Sequence, residues 1–256
     1  MSEPALDLYD DELVISGRIR SASNATFVGT IGDVEVVYKP VAGERPLWDF
    51  PDGNLAHREL ASYLVSEALG WGIVPETWLR EGPHGVGMVQ RWCVTDPEQE
   101  AVTIVPEGRV PPGYLHVFDG YGNRDELVSL VHEDTPELRR MAVFDAMVNN
   151  ADRKGGHVLE MADGHRYGCD HGLTFHTEPK LRTVLWGWTG QPLTDEECTA
   201  IRSIREGLDG ALEETLSPYL AYWDIEALAA RCDRLLADGV MPEPRGDWHV
   251  IPWPPF

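Results

Sequence analysis

The sequence predicts an α+β fold, with an antiparallel sheet and one helix in its first part and a mainly helical second part. Short runs rich in β-branched and aromatic residues, separated by turns that contain Gly, Asp or Pro, fill residues 1–94. One amphipathic stretch interrupts these runs. Beyond residue 95, longer stretches carry apolar residues three or four positions apart, which is the helical period. We therefore expect two units, residues 1–94 and residues 95–256.

The first unit is expected to hold five strands and one helix. The helix has the clearest pattern, because Leu60, Leu64 and Ala68 share one stripe and Gly70 follows as a C-terminal cap. Gly-Asp and Gly-Pro-His-Gly turns separate neighbouring strands, which favours an antiparallel meander. The expected strands are residues 13–20, 27–31, 34–39, 73–79 and 86–94, and the expected helix is residues 56–69.

The second unit is expected to be helical around one short hairpin. The hairpin joins Val158-Leu159 to Arg166-Tyr167 through a turn at residues 162–164. Thr194 and Asp224 are expected to be helix N-caps. The tail, residues 241–256, is rich in Pro and Trp and is expected to lie over a surface. The expected helices are residues 124–131, 136–149, 195–207, 210–220 and 225–237.

The composition argues against nucleic acid and anionic membranes as partners. The chain carries 43 Asp and Glu against 21 Lys and Arg, a formal net charge of −22, and such a field repels polyanions. No uncharged apolar run reaches the roughly 18 residues that a membrane span needs. The acidic start does not resemble a signal peptide, and the four cysteines lack metal-site spacing. We therefore expect a cytoplasmic protein without membrane insertion.

Two polar, Gly-rich segments carry most of the chemical information. They are residues 149–157, Asn-Asn-Ala-Asp-Arg-Lys-Gly-Gly-His, and residues 168–172, Gly-Cys-Asp-His-Gly. The predicted hairpin joins them, so Asp152 and Asp170 are expected to face one cleft. Phosphoryl transfer uses such a pair, because one carboxylate orients the attacking hydroxyl and the other holds a metal on the nucleotide phosphates.

Lysine occurs in this chain at positions 39, 154 and 180 alone, and every other cationic side chain is arginine. Lys39 ends the third predicted strand, where its ammonium would reach nucleotide phosphates beneath the sheet. Glu59 lies on the first turn of the next helix and would fix that ammonium as an ion pair. Lys154, two residues after Asp152, would offset charge on the transferring phosphoryl group.

These residues resemble the phosphatidylinositol 3-/4-kinase-like superfamily, which includes lipid kinases, HipA-type bacterial kinases and the secretory-pathway casein kinase. The motifs that carry the resemblance occur in the family's order and spacing, and the likeness covers roughly residues 13–238. It is strongest to an actinobacterial branch of the superfamily. The matching residues are Lys39, Glu59, the Asn-Ala-Asp-Arg loop at Asp152 and the Asp-x-Gly at Asp170.

The resemblance implies a two-lobed, protein-kinase-like fold that binds ATP with Mg²⁺ or Mn²⁺. It implies that Asp152 and Lys154 are catalytic and that Asp170 is the principal metal ligand. Met88 to Arg91 would be the hinge to the adenine. The residues expected to contact the nucleotide are Lys39, Glu59, Ser23, Asn24, Gln90 and Arg91.

The sequence departs from the family's pattern at two places, and these departures affect which metal and which substrate we expect. His157 stands where the family has Asn as a second metal ligand, and imidazole suits Mn²⁺ better than Mg²⁺. No basic loop for a lipid headgroup follows Asp170. Residues 174–190 carry Lys180, Arg182 and two tryptophans instead, which suits a small or peptide-like acceptor.

The sequence thus predicts an ATP-dependent kinase that acts on a hydroxyl of a soluble small molecule or a protein. One alternative is a regulatory pseudokinase that binds nucleotide but lacks turnover because of His157. Another is a metal-dependent hydrolase. The hydrolase would use three histidines, His157, His171 and His176, with Asp152 and Asp170, and would need no Lys39–Glu59 pair.

Overall fold

The structure is a computed structural model that describes residues 7–20, 24–45, 50, 54–244 and 249–256. It has an α+β arrangement in which antiparallel sheets precede most of the helices, as the sequence predicts. The strands are β1 (Leu13–Arg18), β2 (Phe27–Ile31), β3 (Val34–Pro40), β4 (Thr77–Gly82), β5 (Gly85–Arg91), β6 (Val102–Pro106), β7 (Tyr114–Tyr121), β8 (Leu127–Glu133), β9 (Val158–Glu160) and β10 (Arg166–Gly168). The helices are α1 (Leu55–Leu69), α2 (Pro136–Val148), α3 (Asp195–Gly207), α4 (Ala211–Leu216) and α5 (Tyr222–Asp238).

The first sheet contains the five predicted strands in the spatial order β1-β2-β3-β5-β4, all antiparallel. β3 lies at its centre, and Lys39 near the end of β3 is paired with Met88 of β5. A small core of side chains covers one face of the sheet, formed by Leu13, Ile31, Val36, Tyr38, Trp78 and Val89. Because β3 is hydrogen-bonded on both sides, the backbone that carries Lys39 is well fixed.

Helix α1 connects this sheet to the rest of the molecule. Asn54 caps it by accepting from the backbone N–H of His57, and Gly70 ends it in the left-handed conformation at φ 69°. The Glu44 carboxylate accepts the N–H groups of Leu55 and Ala56, each at 2.9 Å. All of these contacts satisfy groups that a helix end would otherwise leave unpaired.

The main core lies on the other side of α1. Ala61 and Val65 of α1 pack there with the inner faces of α2, α3 and α5. Helix α2 begins at the Thr135 cap with Pro136 in its first turn, and α3 begins with a full capping box between Thr194 and Glu197. No helix in the described part of the chain is both long and apolar enough to cross a bilayer.

The predicted helix over residues 124–131 is wrong. Residues 127–133 form β8, the central strand of a second antiparallel sheet with β6 and β7 on either side. The run Leu-Val-Ser-Leu-Val is too short for its period to distinguish a strand from a helix, and Asp125, at φ 59°, turns the chain just before it. The second part of the chain is therefore less helical than expected.

Several element boundaries also differ from expectation. β4 begins at Thr77, four residues later than expected, and Pro75, which has no N–H to donate to a ladder, lies before it. Helix α4 ends at Leu216, two residues before Pro218. Helix α5 begins at Tyr222 with Ala221 as its cap, so Asp224 is not a cap; it lies in the first turn and pairs with Arg58 at 3.1 Å.

Candidate active site

A cleft of about 670 Å³ lies between the first sheet and the β9–β10 hairpin. This volume is within the range of small-molecule and cofactor sites, about 300–1,000 Å³. Apolar side chains line one part of it, namely Ile19, Val37, Leu159 and Leu173. Charged side chains line another part, namely Lys39, Glu59, Asp152, His157 and Asp170. The cleft therefore has an apolar region and a charged region.

Lys39 stands between two carboxylates in the charged region. Its Nζ donates to Glu59 Oε1 at 2.5 Å and to Asp170 Oδ1 at 2.7 Å. The predicted Lys39–Glu59 pair is thus present, with the Glu59 side chain buried. The Asp170 side chain is 52% exposed to the cleft. The Lys39 ammonium holds the pKa of Asp170 well below its usual range, so Asp170 is an anion at neutral pH.

The loop between α2 and β9 brings Asp152 into the same cleft. Asp152 N–H donates to Asn150 Oδ1 at 3.0 Å, which fixes the turn. The Lys154 ammonium lies 3.2 Å from Asp152 Oδ2. Burial raises the pKa of Asp152 above its ordinary value, and the nearby Lys154 opposes this effect. A carboxylate whose pKa moves toward neutrality is a better proton acceptor.

His157 faces Asp170 across the charged region. Its Nδ1 contacts the Asp152 carbonyl oxygen at 2.9 Å, and only a protonated Nδ1 can donate to a carbonyl. Burial lowers the pKa of His157, so the imidazole is neutral. Its Nε2 therefore carries a lone pair, 3.5 Å from Asp170 Oδ2. An unprotonated nitrogen beside an ionised carboxylate is a donor set that fits a divalent cation.

A buried ion pair beneath the loop was missed by sequence reasoning. Asp145 of α2 and Arg153 are both fully buried, and Arg153 donates to the two Asp145 oxygens at 2.8 and 2.9 Å. Asn150 donates to the same carboxylate at 2.9 Å. The sequence did contain a signal for this pair. Asp145 is the one acidic residue in the otherwise apolar run 141–148, and a buried charge requires a partner.

The same Arg153 side chain fixes the second aspartate loop. It donates to the carbonyls of His157 at 3.0 Å and Cys169 at 3.4 Å, and it contacts His171 Nε2 at 2.6 Å. A Cβ on Gly168 would lie only 2.8 Å from Arg153 Nη2, so a larger residue there would displace the guanidinium. Arg153 thus sets the positions of Asp152 and Asp170 relative to one another.

The other residues predicted to contact the nucleotide either line the cleft with their side chains already hydrogen-bonded or lie outside the described residues. Asn24 lines the cleft, and its Oδ1 accepts the Arg45 N–H at 3.0 Å. Gln90 and Arg91 line the cleft too, but their side chains bind Thr77 and Glu76. Their role as nucleotide contacts stays a prediction. Ser23 lies outside the described residues.

The residues after β5 were not anticipated as part of the site. Trp92, Cys93 and Thr95 line the cleft. By contrast, Met88 and Val89, which were expected in the hinge, are fully buried in β5. Strand β5 ends at Arg91, three residues before the expected end at residue 94, and the role of Met88 to Arg91 as the hinge to the adenine stays a prediction.

The histidines that a hydrolase would need do not converge on the cleft. His171 is fully buried against Arg153. His176 Nδ1 accepts the Glu178 N–H at 2.9 Å, and its ring packs against Phe50. Within the described residues, no group of three or more His, Cys, Asp or Glu side chains is arranged to hold a metal ion.

Comparison with known proteins shows which family the chain belongs to. It is 51% identical over 262 residues to Protein Rv2133c of Mycobacterium tuberculosis, an alignment that covers 97% of this chain and 94% of the relative. The chain belongs to the same family as that mycobacterial protein. No protein-family model matches the sequence.

Among solved structures, the crystal structure of the Helicobacter pylori proinflammatory kinase CtkA is similar to this chain. The TM-score is 0.47 at 13% identity, and the match covers 93% of this chain and 95% of the kinase. A likeness this weak does not transfer a function. The interpretation of the cleft therefore depends on its own geometry.

We expect Asp145→Asn to destabilise the fold strongly. The substitution would leave the buried Arg153 guanidinium without its counter-charge, and breaking a buried pair in this way costs about 3–5 kcal/mol. Chemical denaturation would measure the free energy of unfolding. Asp163→Asn, the same change at an exposed position of the β9–β10 turn, is the control and should stay within about 0.5 kcal/mol of the parent. A loss below about 1 kcal/mol for Asp145→Asn would show that the pair is not a major support of the fold.

Proposed function

We propose that this protein is an ATP-dependent kinase of the phosphatidylinositol 3-/4-kinase-like superfamily. It transfers the γ-phosphoryl group to a hydroxyl of a soluble small molecule or a protein. The observation that carries the proposal is the position of Lys39, which binds both Glu59 and Asp170 in a cleft that also holds Asp152. A lysine fixed by a helix glutamate and facing two loop aspartates is the arrangement that kinases use to bind phosphates.

The two regions of the cleft suit the two ends of a nucleotide. The apolar region, between Ile19 and Val37 of the sheet side and Leu159 of the hairpin, suits a flat base. Trp92, Cys93 and Thr95 also line the cleft, and the backbone of this segment would supply polar groups for the edge of the base. The charged region, around Lys39 and Asp170, then receives the phosphates.

A divalent cation would be held by Asp170, with His157 as a second ligand. The ionised carboxylate and the free Nε2 lone pair fit that role, and nucleotide phosphates supply further oxygen ligands for such ions. When bound, the cation would neutralise charge on the β- and γ-phosphates. Mg²⁺ and Mn²⁺ are both compatible with these ligands, and the imidazole favours Mn²⁺.

The chain's own residues would share the remaining tasks. Lys39 would hold the phosphates from the sheet side. Asp152 would accept a hydrogen bond from the acceptor hydroxyl and orient it toward the γ-phosphorus, and its raised pKa would help it to take the proton. Lys154, now paired with Asp152 at 3.2 Å, would offset the charge of the transferring group.

The alternatives are separated by nucleotide binding and turnover. A kinase is stabilised by ATP with metal, because a ligand that binds the native state raises its stability, and it also consumes the ATP. A pseudokinase would show the stabilisation without turnover. A hydrolase would respond to metal without nucleotide. A thermal-shift panel of ATP, GTP and AMP with Mg²⁺ and Mn²⁺ separates the hydrolase from the other two, and an ATP turnover assay separates the kinase from the pseudokinase.

Lys39→Met should weaken ATP binding about tenfold or more, because a charge-assisted hydrogen bond contributes about 1.5–3 kcal/mol. Calorimetric titration with ATP and Mg²⁺ measures the affinity, and circular dichroism checks that the fold is retained. Lys180→Met removes the same charge outside the cleft and should bind ATP as the parent does. Equal affinities for the Lys39 variant and the parent would remove Lys39 from the site.

Asp152→Ala should lower kcat by about 10²–10⁴-fold while leaving KM for ATP nearly unchanged. The reason is that the contact with the hydroxyl matters mainly in the transition state. Steady-state ATP turnover gives both constants, and Asp163→Ala is the control on the neighbouring hairpin turn. A variant that loses ATP affinity but keeps kcat would place Asp152 in nucleotide binding instead.

His157→Asn should shift the metal preference from Mn²⁺ toward Mg²⁺, since an amide oxygen replaces the imidazole nitrogen. Asp170→Asn should abolish metal-dependent ATP binding altogether. ATP affinity measured with each metal gives the ratio, and His165→Asn, a histidine of the same hairpin outside the cleft, is the control. An unchanged metal ratio in His157→Asn would contradict its role as a ligand.

A further inference from the structure

The last residues of the chain lie directly on the Asp152 loop. The Gly155 N–H donates to the Pro255 carbonyl at 2.8 Å. The Phe256 ring covers Gly155 so closely that a Cβ added there would lie 2.7 Å from the ring carbon Cδ1. At such a distance, any side chain at this position would displace the Phe256 ring. The loop and residues 255–256 are thus built to fit one another.

The tail is anchored before it reaches the loop. The Val250 carbonyl accepts the Thr183 N–H at 3.1 Å and the Trp186 Nε1–H at 3.0 Å, and Pro252 is buried. Thr183 in turn forms a parallel bridge with Arg153 of the loop. Residues 250–256 therefore contact both the loop and the segment that supports it.

Pro255 and Phe256 contact the loop at a glycine-rich turn, where the sequence alone does not hold the backbone in one conformation. Residues 155–157 form a single 3₁₀ turn that joins Lys154 to His157, and two of its three residues are glycine. Glycine has the largest backbone freedom, so such a turn needs outside contacts to hold one conformation. Phe256 and Pro255 supply these contacts to the residue that follows Lys154.

The tail does not enter the nucleotide cleft. Among the described residues, none after Leu173 lines the cleft, and Phe256 is 47% exposed. This placement argues against a plug that blocks ATP. It favours support of the loop from outside.

We propose that Phe256 is a positioning residue for phosphoryl transfer. By covering Gly155 it fixes the backbone that follows Lys154 and so aligns Lys154 with Asp152, while it lies outside the set of residues that line the cleft. The proposal rests on the kinase function proposed above. Its consequence is that loss of the ring lowers the rate of the chemical step without weakening ATP binding.

Phe256→Ala should reduce kcat for ATP turnover about 10–100-fold, the size of effect that a misplacement near 1 Å produces, with KM for ATP unchanged. Phe256→Leu should recover part of the rate because it restores apolar cover. Gly155→Ala should have the same effect as Phe256→Ala from the other side of the contact, because its new Cβ would push the ring away. Trp253→Ala, in the same tail but 72% exposed, is the control and should behave as the parent does.

Hydrogen exchange over residues 152–157 provides a readout that does not require activity. The proposal expects faster exchange there in Phe256→Ala and parent-like exchange in Trp253→Ala. A kcat within twofold of the parent would overturn the proposal, and so would a fall in kcat that is matched by lower thermal stability and not rescued by Leu. If the parent itself neither binds nor consumes ATP, the kinase function fails, and unchanged exchange in Phe256→Ala would then separately overturn the support of the loop by the tail.

Discussion

The buried pair between Asp145 and Arg153 is the interaction on which the candidate site depends. One guanidinium reaches the helix before the first aspartate loop, the carbonyls at both ends of the hairpin and the imidazole after the second aspartate. Both charges are completely removed from water, so neither tolerates loss of the other. A loop made of Gly, Asn and Asp has little structure of its own, and this pair gives it one conformation.

Lys39 organises the carboxylates in the charged region of the cleft. Lys39 lies between Glu59, which is buried, and Asp170, which is exposed. The buried carboxylate keeps the ammonium in place, and the exposed one remains available to another cation. In a protein with a net charge of −22, a site for an anionic nucleotide needs such a local concentration of positive charge, and Lys39, Lys154 and a bound metal would provide it.

The sequence was sufficient for the parts of the fold that have strong local patterns. Helix α1, the meander of β1 to β3 and the hairpin of β9 and β10 follow from period, turn residues and caps. The convergence of Lys39, Glu59 and the two aspartates was also predicted, because their order matches a known arrangement.

What could not be predicted depends on contacts between distant parts of the chain. The run that forms β8 is short and apolar, so its state is decided by pairing with β6 and β7 rather than by its own period. Asp145 was a detectable anomaly, but its partner is revealed only by the tertiary structure. The contact of Phe256 with Gly155 joins residues about a hundred positions apart and has no local pattern at all.

The double attachment of helix α1 has a mechanical consequence. Its Ala61 and Val65 belong to the core of the helices, whereas its first turn is tied to Glu44 at the edge of the cleft. A rotation of the sheet relative to the helices would therefore have to break one of these two sets of contacts. The hydrogen bond between Lys39 Nζ and Glu59 Oε1, 2.5 Å here, joins the sheet directly to α1, so its length reports on whether the sheet side of that attachment is intact.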